Sequence, residues 1–240
     1  MNSPAKCLIL TVLVIPGLVL IGQTGIQAGN KTEDGYVSLF NGKDLTGWSY
    51  YKQKDLKGQT KTEDGRFSVE DGIIVANEGK GIKNLYSIEK FSGDCHLILE
   101  FRAAEKADSG VYIRGPQLQV RDFKRRNEQK QLKKFKNDDW NVLDITVKSG
   151  VVVTKVNGKT LSEKDSLKLT VERGQPQAML NGKSVDVKSI QVSVNTIARC
   201  LVNGEVLNKA FNVGSNGPIG LQAERGKFEF RNIRLKVLSE

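Results

Sequence analysis

The 240-residue chain has one histidine, His96, and three cysteines. A single histidine leaves two-histidine metal sites without their parts. With no Ser in a G-x-S-x-G elbow, a Ser–His–acid triad is incomplete as well. No Cys-x-x-Cys pair occurs, and no Gly-rich loop opens a helix to cradle phosphate. Helical periodicity is nearly absent, and no long apolar run follows residue 22. These absences exclude most templates for nucleophilic, metal and nucleotide chemistry, and they leave an all-β chain.

The one apolar run, residues 7–22, follows Lys6 and precedes QTGIQA, ending at Ala28. A basic end, an apolar stretch and a small residue at the cut are the layout of a secretory signal over 1–28. The rival is a retained anchor, but the run contains Pro16 and Gly17 and falls short of the ~20 residues that span a bilayer. Cleavage would remove one charged side chain, Lys6, from a chain of net charge +10. The expectation is a secreted or periplasmic protein with no membrane span after cleavage. Export would permit a Cys95–Cys200 bridge, and two buried thiols on separate strands is the equal alternative.

Turn signals are frequent. Asn-Gly occurs at 41–42, 157–158, 181–182, 203–204 and 216–217, and Asp-Gly at 34–35, 64–65 and 71–72. These pairs tolerate the positive φ of tight hairpin turns. The runs between them alternate apolar and polar, as in DCHLILEFRA and KFEFRNIRLKVL, so many short strands are expected. In the last run Phe228 and Phe230 have one parity and Ile233, Leu235 and Val237 the other, which predicts a β-bulge at Arg231–Asn232. Segments 145–161, 169–185 and 192–207 each read as strand, turn, strand, Asn-Gly, which predicts three tandem hairpins, with about 162–207 as a duplicated insertion in one domain spanning 36–238. Segment 121–136 is strongly basic; it reads as a solvated loop or short helix, or as a rim for an acidic glycan.

Two stretches carry the candidate chemistry. In DCHLILEFR, His96, Ile98, Glu100 and Arg102 share the face opposite Cys95, Leu97, Leu99 and Phe101. In DSGVYIRGPQLQVRD, Tyr112 and Arg114, then Gln117, Gln119 and Arg121, back an apolar face. If the strands are neighbours in one sheet, the polar face collects all of these. Glu100 could act as base or pair with Arg102, and His96 could be functional or simply packed across strands. Planar amides, guanidinium groups and an aromatic ring suit a polyhydroxylated ligand, with Trp48, Trp140 and Tyr86 as further rings. This favours carbohydrate over lipid or nucleotide, and no nucleic-acid partner is expected.

The ordered segments LFNGKDLTGW (39–48), VEDGII (69–74), LILEFR (97–102), SGVYIRG (109–115), DDWNVLDITVK (138–148), NGPIGLQ (216–222) and FEFRNIRLK (228–236) resemble the 3-keto-disaccharide hydrolase family. The resemblance implies a concanavalin A-like β-sandwich, or jelly roll, of two curved antiparallel sheets, with a glycoside oxidised at sugar C3 as substrate. The C3 ketone acidifies the C2 proton; a base removes it, the C1 substituent leaves, and water adds to the unsaturated sugar. A cation or Arg would stabilise the enolate, so a divalent cation is the one cofactor in view. The chain departs from the family where Gln117 replaces a Glu, and where Ala223-Glu224-Arg225 follows G-P-I-G-L-Q in place of a His. On this reading Glu100 and Glu224 are the candidate catalytic carboxylates. Arg102, Tyr112, Arg114, Gln117, Gln119 and Trp140 are the candidate substrate contacts. The alternative is a carbohydrate- or cell-surface-binding module on the same fold that has lost the chemistry.

Overall fold

In the computed structural model, residues 34–172 and 174–238 are described. The expected signal segment, 1–28, lies outside them. In chain order the strands are β1 Val37–Ser38, β2 Trp48–Tyr50, β3 Phe67–Glu70, β4 Ile73–Ala76, β5 Lys83–Ser87, β6 Phe91–Ser92, β7 Cys95–Ala103, β8 Asp108–Ile113 and β9 Gln117–Arg121. Two short 3-10 turns, Phe123–Arg126 and Glu128–Lys130, follow. Then come β10 Asn141–Val156, β11 Lys159–Thr160, β12 Leu167–Glu172, β13 Gln175–Leu180, β14 Lys183–Val185, β15 Ile190–Val202, β16 Glu205–Val213, β17 Asn216–Gly217, β18 Ile219–Ala223 and β19 Phe228–Val237.

Contacts divide these residues into two compact units, one running to Val151 and resuming at Asn195, the other Val152–Val194. In the first, a large antiparallel sheet has the order β16-β15-β10-β7-β19-β4-β3, with β1 on β19. A five-stranded sheet has the order β2-β5-β18-β8-β9. Each presents its apolar parity to the other. Leu97, Leu99, Phe101, Leu143, Ile145, Phe228 and Phe230 come from the large sheet, and Leu85, Val111, Ile113, Leu118, Val120 and Leu221 from the smaller. All belong to one buried cluster. This is the expected all-β, concanavalin A-like jelly-roll sandwich. Trp48, offered above as a sugar-facing ring, is instead fully buried in this core, and its Nε1–H donates to Leu39 O at 2.8 Å.

The parity shift in β19 is a bulge. Its register with β7 slips between Arg231 and Arg234, and Asn232 takes φ 52°. Phe228, Phe230, Ile233 and Leu235 are thereby all buried. The three-hairpin expectation fails in two of its three copies. β10 and β15 each run unbroken up to an Asn-Gly turn, and Gly150, read as a turn, lies inside β10 at φ 71°. The middle copy alone folds as expected, as β12-β13-β14 in the second unit. The Asn-Gly turns themselves form, with positive φ at both residues of 157–158, 181–182 and 203–204; paired positive φ is the backbone of a type I′ hairpin.

Cys95 and Cys200 are buried free thiols. They sit on β7 and β15, with β10 between them. Two strand spacings are about 9.5 Å, beyond the reach of a disulfide. The basic segment 121–136 is not simply solvated: Phe123, Leu132 and Phe135 anchor it in the core, and Phe135 lies 6.4 Å from Phe101.

Candidate functional site

The two candidate stretches fold into different sheets. β7 lies in the large sheet and β8–β9 in the five-stranded one, so the single polar face expected from sequence divides in two. The reason is physical. Both stretches alternate, and alternation says which side of a strand is apolar but not which layer the strand joins. Strands stacked across a core and strands paired side by side read alike.

On the outer face of the large sheet, every candidate charge has a partner. The Arg231 Nε–H donates to Glu100 Oε2 at 2.7 Å, and the Asn232 Nδ2–H to Glu100 Oε1 at 2.8 Å. Burial raises the Glu100 carboxyl, but the Asn232 hydrogen bond and the Arg231 guanidinium outweigh it and hold the group below the usual range. Arg102 does not pair with Glu100; it binds Glu229, which Lys227 also holds at 3.0 Å. The Trp140 ring stacks under Arg231, at 3.8 Å, and Arg102, at 5.0 Å. Farther along this face His96 is hydrogen-bonded on both ring nitrogens, Nδ1 to the Tyr36 hydroxyl at 2.6 Å and Nε2 to Asp144 Oδ1 at 2.9 Å. His96 therefore packs across strands, tying β1's approach to β7 and β10.

The outer face of the five-stranded sheet has a different chemistry. Cross-strand register lines up Ser49, Tyr86, Gly220, Tyr112 and Gln117 in one row, and Asn84, Gln222, Gly110 and Gln119 in the next. Gly220 lets two rings meet above it. A Cβ there would lie 2.6 Å from Tyr86 ring carbons, and the Tyr86 and Tyr112 centroids are 5.4 Å apart. Tyr51 extends the aromatic row, 6.0 Å from Tyr86. Burial, then Tyr112, raises the Tyr86 phenol above its ordinary value, so it stays a donor at neutral pH.

Beside the rings lies an amide cluster. Gln117 Nε2 donates to Gln222 Oε1 at 2.9 Å, and Gln222 Nε2 to the Tyr112 hydroxyl at 3.1 Å. Gln117 lies flat across Gly110, where a Cβ would come within 2.3 Å of its amide. An amide carries two N–H donors, so Gln117 keeps one for a ligand. Gln119, by contrast, is engaged internally: its amide donates at 2.6 Å to both Asp108 Oδ1 and Ser109 O. Asp108 also takes Arg125 Nη1–H at 2.9 Å.

Arg114 leaves this face, against expectation. It adopts φ 53° in the turn after β8, which swings the side chain off the strand's alternation and into the interior at 3% exposure. Its Nη2 donates to Gly93 O at 2.8 Å and Cys95 Sγ at 3.0 Å. Arginine is not a residue that signals positive φ, so alternation alone puts Arg114 on the wrong side of the strand. Glu224 follows directly on β18, two residues beyond Gln222, where the register with β8 slips by one residue and Arg225 bridges Asp108. Glu224 is half-buried and has no hydrogen bond or ion pair among the described residues.

A cleft of about 520 Å³ opens at the β2–β5 end of the first row, where Ser49, Tyr51 and Tyr86 meet Lys52, Ile88, Lys90 and the Asn216–Pro218 backbone. Sequence reasoning missed Tyr51, Gln222 and this cleft. The alternation of β18 around Gly220 was the available signal for Gln222. Among the described residues no group of three or more His, Cys, Asp or Glu is placed to hold a metal ion. The donors here are amides and phenols, with Asp108 already bound to Arg125 and Gln119. A hard divalent cation needs several free oxygen ligands, so this set does not fit one.

Residues 35–236 match the family model described as the 3-keto-alpha-glucoside-1,2-lyase-like domain. A curated relative, the 3-keto-disaccharide hydrolase of Bacteroides thetaiotaomicron, is 24% identical over 85% of this chain and 79% of its own length. Among solved structures, a putative glycosyl hydrolase from Parabacteroides distasonis is 15% identical. The match covers 89% of this chain and 99% of that one, with a TM-score of 0.46. A Bacillus licheniformis beta-glucanase is 11% identical over 84% of this chain and 96% of its own, at 0.36.

Proposed function

The chain belongs to the family of 3-keto-alpha-glucoside-1,2-lyase-like domains, a hydrolase-like and carbohydrate-active family, and from that premise we propose that it cleaves 3-keto-glycosides on the outer face of its five-stranded sheet. The observation that carries the choice of face is the state of the two candidate carboxylates. Glu100 is tied to Arg231 and Asn232 and held below the usual carboxylate range, which disfavours it as a base. Glu224 is half-buried and, among the described residues, unpaired, two residues along the chain from Gln222 of the amide cluster.

In this reading the sugar ring stacks on Tyr86 and Tyr112, since tyrosine offers a flat apolar face with a polar edge. The remaining Gln117 N–H donates to the C3 ketone, and the Tyr112 hydroxyl oxygen, whose proton goes to Gln117 Oε1 at 3.4 Å, accepts from a neighbouring sugar hydroxyl. Glu224 takes the C2 proton. The electron pair of the C2–H bond moves into C2=C3, with the charge on the ketone oxygen as an enolate; the ketone then re-forms, the C2=C3 pair becomes C1=C2 as the C1–O bond breaks, and the leaving oxygen takes a proton from solvent. Water then adds its hydroxyl to C1 and its proton to C2, so the net reaction is hydrolysis. The Gln117 N–H at the ketone oxygen stabilises the enolate as charge develops there. Export through residues 1–28 belongs to the same proposal.

The test is incubation of the purified protein with a 3-keto disaccharide, following release of the free sugar. Turnover that disappears in Glu224→Gln supports the proposal. Sugar binding without turnover in the unsubstituted protein would instead support the binding-module reading. Gln117 favours that second reading, because an amide stands where the family resemblance implies an acid.

A further inference from the structure

The cleft beside the tyrosine row has an unbalanced charge. Its lining includes Lys52, Lys90 and Arg114, and no carboxylate. Lys52 Nζ stands 5.2 Å over the Tyr51 ring, at the cleft wall. Glu89, between Ile88 and Lys90 in sequence, is not part of the lining.

Arg114 contributes more than a third positive charge. Its guanidinium is almost wholly buried, and its Nε and Nη1 have no partner among the described residues. The contacts of Nη2, a carbonyl and a thiol, carry no countercharge. Asp94, the acid next to both contacts, is taken by Lys148 at 2.8 Å and by the Ser149 N–H at 2.7 Å. Another buried arginine of this unit is handled differently: Arg66 donates to four carbonyls, of Asn77, Lys80, Gly81 and Ala223. A buried charge without a counter-ion is destabilising, and its field is weakly screened by the surrounding protein. An anion in the cleft would relieve that cost.

We propose that the cleft is a subsite for an anionic group, a carboxylate or sulfate, carried by the glycan bound on the adjoining sheet face. Lys52 and Lys90 contact the anion, and Arg114 favours it through its field from below. The inference rests on the proposed use of that face, because Ser49 and Tyr86 belong to both. It differs from an acidic-glycan role for segment 121–136, where Arg125 is already bound to Asp108 and Arg121 lies between Asp108 and Glu128 at 3.8 and 3.7 Å.

The experiment is calorimetric titration of the full chain with three unoxidised disaccharides of equal size: neutral, uronic acid-containing and sulfated. The acidic ligands are expected to bind roughly tenfold more tightly than the neutral one, about one charge-assisted hydrogen bond. The preference should shrink from low to high salt. In the Lys52→Gln/Lys90→Gln double variant, with an unchanged melting temperature as control, the ligands should bind equally. Comparing the uronate with the sulfate ester identifies the anion. Equal affinities in the unsubstituted protein, or a preference that survives the double substitution, overturn the proposal. Neutral-sugar binding retained in either case would leave the sheet-face reading standing.

Discussion

The two outer faces of this sandwich are both polar, but only one has hydrogen-bonding capacity left over. On the large sheet, Glu100, Arg102, Glu229 and His96 are joined to one another's neighbours by ion pairs and hydrogen bonds. On the five-stranded sheet and the segments that continue it, polar groups remain open. Among the described residues the buried Asn84 Oδ1 has no hydrogen-bond partner, and Gln117 keeps one amide N–H. A charged face whose charges are mutually satisfied stabilises the fold; a face with unused donors and acceptors is prepared for something else.

Substitutions that treat the two carboxylates alike break or sharpen this contrast most strongly. Glu224→Gln is expected to reduce turnover of a 3-keto disaccharide by about 10²-fold or more, the usual contribution of a positioned general base. Glu100→Gln should leave turnover within about twofold. Steady-state kinetics of both variants decide it, and the reverse pattern would move the reaction to the large sheet.

Next in size is Gly220→Ala. The added methyl group would overlap the Tyr86 ring and sit 3.0 Å from Tyr112 Cβ. Overpacking of this kind costs about 1–3 kcal/mol, and parting the two rings should weaken sugar binding as well. Chemical denaturation and a binding titration measure the two effects separately.

Only part of this contrast is legible in the sequence. Alternation located β8 and β9, and the parity change at Arg231–Asn232 located the bulge, because both are properties of a single strand. Layer assignment was not legible, since β7 and β8 alternate alike whether paired or stacked. The turn at Ala104–Ala107, which carries the chain from one sheet to the other, has no distinctive signal beyond Lys106 at φ 61°. Arg114 was placed on the polar face because nothing in Ile-Arg-Gly announces positive φ at arginine. Glu100 looked catalytic because its partners, Arg231 and Asn232, come from a distant strand, and it is the bulge that brings both to one carboxylate.

The smallest expected effects lie on the large sheet. The Glu100–Arg231 pair is partly exposed, at 24% and 35% for the two side chains, and pairs of this kind contribute roughly 0–1 kcal/mol. Glu100 is held below its unfolded value, so its contribution is present above the unfolded pKa and lost as pH falls through the folded one. Melting curves of Glu100→Gln and the unsubstituted protein should therefore differ slightly at neutral pH and converge on acidification. A gap that widens with acid would contradict the pairing.

The most direct test of the central claim is hydrogen exchange of the full chain with and without a 3-keto disaccharide. Protection of 83–87, 108–121 and 219–224, with 95–103, 140–148 and 228–237 unchanged, is the predicted result. Protection confined to the second set would place the sugar on the large sheet and contradict the account.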